Sequence, residues 1–313
     1  MLYFSYREGG LFAMDTKFFE YVLEIADCGS INKATKRLHI SQPNLSVSIK
    51  NLEAELGFQL FERGNKGIRL TREGELFVLS ARTIVREVNS VRNIPQFFDN
   101  KNNLSISCTN SFDFMNCFMR FKKKHPPTGY EDSIKETGLI QTVRDVYEFR
   151  YRMSLFYCFD SLSERYRNFA KEHGMRIVTI ALRKRLILLV SKKHPLAQKK
   201  EVAFQDVKNY KFVMYENYEF NEWLGLLGFE NDNHVLTVFD RGGLLDAIKQ
   251  NMYVTVMMEH FTDLYSGDCV EIPLTGSDQA LNVFLLYYKS YKLNAREQLF
   301  IKTLRELFRE PRS

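Results

Sequence analysis

Three short amphipathic runs follow one another between Asp15 and Gly57, each opened by a capping residue and closed by a turn. That succession constrains the chain more than any other feature. Asp15 is placed to cap a helix whose apolar positions Phe18, Phe19, Val22, Leu23 and Ala26 recur at helical period. Gly29 can end it in a left-handed conformation. Ser30 then opens a shorter helix that turns Ala34 and Leu38 inward. Ser41 opens a third, with Pro43 tolerated in a first turn where its missing N–H has no intrahelical partner. Leu45, Ile49, Leu52 and Leu56 form its buried stripe, and Gly57 stops it. Two short helices joined by a tight turn, the second well capped, read as a helix-turn-helix.

Leu60–Arg63 and Ile68–Leu70 are short alternating runs around Gly64-Asn65-Lys66-Gly67, which predicts a hairpin wing with a basic tip. Thr71 then caps a long helix ending near Pro95. Its positions Phe77, Ala81, Ile84, Val88 and Val91 are spaced 4, 3, 4, 3, a coiled-coil seam rather than a globular helix face. A rod of about 23 residues would run roughly 35 Å. The polar stretch 99–103 reads as a linker. Charge is concentrated in the same region. Between Ser30 and Arg72 stand eight basic residues (Lys33, Lys36, Arg37, Lys50, Arg63, Lys66, Arg69, Arg72) against three acidic ones (Glu53, Glu55, Glu62). That local excess of +5 compares with +6 for the whole chain. A polyanion partner accounts for it, and a merely solvated basic face accounts for it as well.

The remaining residues alternate strand-like and helix-like runs, an α/β pattern. Strands are predicted at 104–108, 153–159, 186–191, 211–215, 253–257 and 282–288. Helices are predicted at 112–124, 139–149, 243–250 and 295–309. Other chemistries find little footing. No stretch approaches the length of apolar sequence that a membrane-spanning helix needs. The start MLYFSYREGG has no basic-then-apolar signal pattern. The five cysteines include no C-x-x-C, which fits a reducing cytoplasm. The six histidines are scattered without ligand spacing, and no phosphate-binding or nucleophile-elbow motif is present, so neither a metal nor a cofactor is expected. Gly242-Gly243 ahead of a helix reads as an ordinary turn or an anion site. Cys108 and Cys117 read as buried thiols rather than a redox pair. Lys122-Lys123-Lys124 suits the end of a helix.

The stretch Ser41-Gln42-Pro43-Asn44-Leu45-Ser46, its continuation VSIKNLEAELGFQLFERGNKGIRLTREG and the preceding CGSINKATKRLHI resemble the LysR-type transcriptional regulators. The family's Ser-Gln-Pro-x-Leu-Ser, Leu-Glu-x-x-Leu-Gly, Leu-Phe-x-Arg and Leu-Thr-x-x-Gly elements all stand here in order. HPLAQKKEVAFQDVKNYKFVMYE and NVFLLYYKSYKLNAREQLFIKTL match the C-terminal part more loosely. The resemblance implies an N-terminal all-α winged helix-turn-helix at 14–74 and a linker dimerisation helix at 75–97. It further implies a periplasmic-binding-protein-like α/β effector domain, with subdomain I at 104–177 and 277–313 and subdomain II at 178–276. Residues 1–13 are expected to lie outside that fold. The implied partners are double-stranded DNA, a small-molecule effector, further copies of the chain (a homodimer or homotetramer) and RNA polymerase, in the cytoplasm. There are departures. Val47 stands where the family often has Arg, Asn251 and Tyr253 where a Gly-x-Gly turn is usual, and Met258 where Pro is frequent.

With Leu45, Ile49 and Leu52 as the inner face, Pro43, Ser46, Val47, Lys50 and Asn51 point away, and Gln42 and Asn44 sit at the N-terminal tip with the cap Ser41. A recognition helix places such residues against base edges in the major groove. Gln42 suits adenine, Lys50 guanine or phosphate, and Val47 only a thymine methyl. Capping and solvation alone would also explain Gln42 and Ser46. Ser30, Lys33, Lys36 and Arg37 are expected beside the phosphate backbone, with Arg63, Lys66 and Arg69 of the wing at the minor groove. An ion pair with Glu62 is the other reading of Arg69.

Ligands of two-subdomain α/β folds bind at the carboxyl ends of strands. That predicts an effector site at Thr109, Asn110 and Ser111, facing Tyr215 and Asp240, with Asp160 and Ser161 at a neighbouring strand end. A carboxylate suits a helix start there. Asp240 opposes a purely anionic ligand unless Arg241 turns inward, so an amino acid or other zwitterion fits equally. A degenerate pocket is a further reading. A second class of function also fits the α/β region: a soluble small-molecule-binding protein or enzyme whose N-terminal helices serve only as a packing module.

Overall fold

A computed structural model describes residues 15–64, 67–99, 101–215, 225, 235–259, 267–276 and 278–309. The chain falls into two compact units, Met1–Arg92 and Asn93–Ser313. The expectation for residues 1–13 lies outside the described residues.

The first unit holds α1 (Thr16–Cys28), α2 (Ile31–Leu38), α3 (Gln42–Leu56), β1 (Phe61–Gly64), β2 (Gly67–Leu70) and the greater part of α4 (Arg72–Phe98). Asp15 caps α1 by accepting the Lys17 N–H at 3.0 Å, and Ser41 caps α3 by accepting the Asn44 N–H at 3.4 Å. Gly29 and Gly57 close α1 and α3 at φ 60° and 77°, a region that costs a glycine nothing. Ser30 departs from expectation. It holds the N-cap position of α2 in an extended conformation, but its hydroxyl makes no capping bond. Val22, Ile25, Ala34, Leu45, Ile49, Leu52, Leu60 and Val78 form one core. Glu53 is buried within it, and Oε1 accepts the N–H groups of Leu60 at 2.7 Å and Phe61 at 3.2 Å. The carboxylate therefore ties α3 to the root of the hairpin, where β1 and β2 pair antiparallel with Glu62 opposite Arg69.

The long helix departs from its predicted seam. Ala81 is fully buried and Phe77 stacks on Phe19 at 5.6 Å, so both are consumed by the core of their own unit. Leu76, Leu79, Ile84, Val91 and Phe98 are exposed large apolar side chains along α4. The helix also runs through Pro95 to Phe98, because a proline so near the C-terminal end removes only one late hydrogen bond.

The second unit carries two sheets. The first has the order β4-β3-β5-β13-β6, built from β3 (Ser105–Thr109), β4 (Ser133–Thr137), β5 (Met153–Phe159), β6 (Met175–Lys184) and β13 (Leu281–Tyr288). Both faces are covered, so β5 and β13 read as continuous apolar runs. Leu155, Val283 and Leu285 face α5 (Phe112–Lys124) and α10 (Ala295–Arg309). Phe156, Cys158, Phe284 and Leu286 face α6 (Leu139–Tyr147) and α7 (Ser163–Glu172).

The second sheet has the order β11-β7-β12-β8, from β7 (Leu186–Ser191), β8 (Val202–Ala203), β11 (Thr255–Met258) and β12 (Cys269–Thr275). β9 (Phe212–Tyr215) joins it through a bridge to Val254 and carries β10 (Val235–Val238) in parallel. α8 (Phe204–Val207) precedes β9, and α9 (Arg241–Lys249) packs Leu244 and Ile248 on Ile187 and Leu189.

The chain passes between the sheets at Lys184–Leu186 and Thr275–Leu281. β6 runs unbroken across 177/178, where the subdomain border is expected, in register with β13. The departure at Asn251 is conformationally consistent. Its φ of 58° is the left-handed region where asparagine is the best substitute for glycine.

Candidate functional site

On α3, burial separates two faces as the spacing predicts. Leu45, Ile49 and Leu52 are buried. Gln42, Pro43, Asn44, Val47 and Lys50 are exposed, with Ser41 at the cap, while Ser46 is half-buried. On α2, Lys33 and Lys36 are exposed. Arg37 is exposed too but pairs with Glu24 at 3.1 Å, an acceptor that sequence spacing did not suggest. A cleft of about 410 Å³ opens beside α2, lined by Asp27, Cys28, Lys33, Lys36 and Arg37. Its Cys28 thiol donates to Glu24 Oε1 at 3.2 Å, and burial followed by that bond pushes the thiol up, away from the reactive thiolate. In the wing Arg69 is exposed on β2. The Arg63 side chain and Lys66 lie outside the described residues. Exposed cations beside a helix face carrying an amide at its start and a lysine further along can hold phosphates and read base edges.

The second candidate lies at the carboxyl end of β3. Thr109 is buried there, Asn110 follows, and Ser111 caps α5 by accepting the Phe114 N–H at 3.4 Å. Tyr157 Oη donates to the Asn110 carbonyl at 2.9 Å. Glu136, at the carboxyl end of β4, accepts the Ser111 N–H at 3.3 Å through Oε1. Its Oε2 pairs at 3.0 Å with Nη2 of Arg241, in the first turn of α9. Arg241 does turn inward, and its guanidinium lies 5.2 Å from the Phe112 ring centroid. Asp240 caps α9 by accepting the Gly243 N–H at 2.9 Å.

Burial raises the Tyr215 hydroxyl's pKa, with the charges of Tyr157 and Glu136 adding to the effect. Burial likewise raises the Glu136 carboxyl, against the pull of Arg241. Thr109, Asn110, Ser111, Tyr215 and Asp240 thus gather around a Glu136–Arg241 pair. Glu136 and Tyr157 escaped the sequence reading, since neither has a motif that links it to Arg241 or Asn110.

Asp160 and Ser161 do not join this cluster. Asp160 accepts from Arg183 Nη1 at 2.7 Å and Asn282 Nδ2 at 2.7 Å, which pins it to the chain passages between the sheets. Ser161 is exposed in a single 3₁₀ turn. Cys108 and Cys117 are buried in one core and are not joined by a disulfide. Burial first, and the Glu136 charge next, push Cys108 above the ordinary range. Among the described residues no group of three or more His, Cys, Asp or Glu is placed to hold a metal, and no helix is long and apolar enough to cross a membrane.

Two family models match parts of the chain. Residues 17–75 match the bacterial regulatory helix-turn-helix protein model of the lysR family, and residues 165–309 match the LysR substrate binding domain. The chain is similar to the uncharacterized HTH-type transcriptional regulator YcgK of Bacillus subtilis (strain 168). The two are 49% identical over 73 residues, which is 23% of this chain and 22% of that protein. It is 23% identical over 305 residues to the malolactic fermentation system transcriptional activator of Lactococcus lactis subsp. lactis (strain IL1403), covering 92% of this chain and 97% of that one. Full-length CbnR, solved in complex with its target DNA, overlays with a TM-score of 0.47 at 20% identity over 95% of this chain and 100% of that one. For the first three curated relatives the matched stretch spans 22–28% of their length. With a helix-turn-helix match at one end and a substrate-domain match at the other, the chain belongs to the LysR family of bacterial regulatory helix-turn-helix proteins.

Proposed function

We propose that the protein is a sequence-specific DNA-binding transcriptional regulator that answers to a small molecule held between its two α/β sheets. The observation that carries this reading is α3. Its apolar stripe is buried in the first unit, and Gln42, Val47 and Lys50 are left exposed on the opposite face, beside the cations of α2. An exposed, capped helix end of this kind fits the major groove, and the surrounding Lys and Arg neutralise phosphates. Gln42→Ala and Lys50→Ala should each weaken operator binding by about 1–3 kcal/mol. Arg69→Ala should weaken all sequences alike and lower the salt slope by about 1. Fluorescence anisotropy on operator and random duplexes, across a salt series, separates the two effects. Equal operator binding by the Gln42 variant would count against direct readout.

The regulator acts in the cytoplasm as a homodimer or a homotetramer, with RNA polymerase as a protein contact. A second copy of the chain is the occupant that the exposed row on α4 suits, since Leu79 is 64% and Ile84 38% exposed. Ile84→Asp would bury a charge in that seam. It should shift sedimentation from the oligomer toward the monomer, and an unaltered sedimentation coefficient would sink the pairing. The effector is a carboxylate or an amino acid, bound by the strand ends around Thr109–Ser111 and Arg241. The alternative of an enzyme with an accessory helical module is not favoured by the family to which the chain belongs.

A further inference from the structure

An incoming carboxylate would find two holds in the crevice: the backbone N–H at the start of the 13-residue helix α5, and the Arg241 guanidinium. Both are engaged already, and by one side chain. Glu136 gives Oε1 to the Ser111 N–H at 3.3 Å and Oε2 to Arg241 at 3.0 Å. Ser111 and Glu136 belong to the first sheet's elements and Arg241 to the second's, so this carboxylate also bridges the sheets. Beside it stand two buried hydroxyls without a hydrogen-bond partner among the described residues. One is Tyr215 Oη. The other is Oγ1 of Thr109, a residue only 4% exposed, two positions before Ser111. Buried polar groups left unmatched in a crevice point to a ligand that matches them.

We propose that Glu136 is a tethered carboxylate occupying the crevice's own anion seat, and that a carboxylate effector binds by displacing it from Ser111 and Arg241. This rests on the reading of the crevice as the effector site. While Glu136 holds the seat, a second carboxylate meets both an occupied donor and a like charge. A bare small acid therefore does not enter. An effector must carry further groups that reach Thr109 and Tyr215. Phe112 under the Arg241 guanidinium keeps that cation in place for the exchange. The crevice is thus closed by the chain itself until a better-matched anion arrives, and the bridge between the sheets breaks as it enters.

The test is rescue by acetate, read as the melting temperature of the full chain by calorimetry, against chloride at equal ionic strength. Wild type should show no acetate-specific shift. Glu136→Ala, with the seat empty, should show a saturable rise of roughly 3–6 °C at tenfold excess over its Kd. The double variant Glu136→Ala with Arg241→Ala should lose that response. Glu136→Gln keeps the volume and removes the charge, and should respond in the same direction by less. A wild-type response equal to that of Glu136→Ala, or no response in either single variant, would overturn the proposal. Operator affinity is measured on the same preparations. Its absence in wild type would remove the regulator reading while leaving the acetate result to stand on its own.

Discussion

Glu297→Ala should destabilise the α/β unit by about 3–5 kcal/mol, the cost of leaving one partner of a buried ion pair alone. Glu297 is fully buried. Its Oε1 accepts from Arg152 Nε at 2.7 Å, and Oε2 accepts from Tyr291 Oη at 3.0 Å and the Asn294 N–H at 2.9 Å. Asn294 returns a bond by accepting the Glu297 N–H at 2.8 Å, and its Nδ2 reaches the Asn103 carbonyl at 3.0 Å. The network therefore fastens residue 103, in the polar stretch after α4, to β5's entry and to α10.

Removing the carboxylate strands a guanidinium that cannot shed its charge. Removing the cation is milder, because burial already raises the Glu297 carboxyl and protonation can neutralise it. Arg152→Met should consequently cost less than Glu297→Ala. Urea denaturation of both variants checks the order. A loss below about 1 kcal/mol for Glu297→Ala, the range of an exposed pair, would mean that the network is solvated.

Gly74→Ala should cost the first unit about 3 kcal/mol, the upper end of ordinary overpacking. In an exposed helix the same change would gain about 1 kcal/mol, so the sign alone is diagnostic. The reason is a close approach. A Cβ at Gly74 would lie 2.1 Å from the Leu60 carbonyl oxygen and 3.1 Å from Thr71 Oγ1. The Leu60 oxygen is backbone and cannot swing aside. It accepts the Thr71 N–H at 3.0 Å, while Thr71 Oγ1 accepts the Gly74 N–H at 2.9 Å and donates to the Gln59 carbonyl at 2.7 Å. α4 is thus clamped at its first turn to the segment leading into the wing. Glu75→Ala, one residue on and exposed, should be close to neutral and serves as the control. Thermal melts of the two variants decide the point, and a stabilised Gly74→Ala would contradict the clamp.

Elements with clean apolar periodicity are legible in the sequence. α5, β5, β7 and α10 fall at the residues their patterns predict. β4 is not, because Ser133–Thr137 is a polar, half-exposed segment that, among the described residues, pairs with β3 alone. β12 was hidden by Pro273, which usually argues against a strand and is here paired opposite Ile187. The α4 seam was half legible. Period alone cannot tell Phe77 and Ala81, which bury in their own unit, from Ile84 and Val91, which do not.

α3 could be read residue by residue, since its burial follows from its own spacing. The crevice could not. Glu136 and Arg241 lie far apart in sequence, and only the sheet topology brings them within 3.0 Å. Asp160 shows the converse. A strand-end position made it a candidate, and Arg183 and Asn282 claim it for the chain passages instead.

Selection from a pool of random duplexes tests the central claim most directly. The full chain is incubated with the pool at physiological salt, and the retained duplexes are sequenced over several rounds. The account predicts enrichment of one motif, present as two half-sites about one helical turn or a multiple apart. It also predicts that Gln42→Ala loses the preference at a single base pair of each half-site while keeping the rest. Retention without any enriched sequence, or an identical motif from the Gln42 variant, would contradict a recognition role for α3.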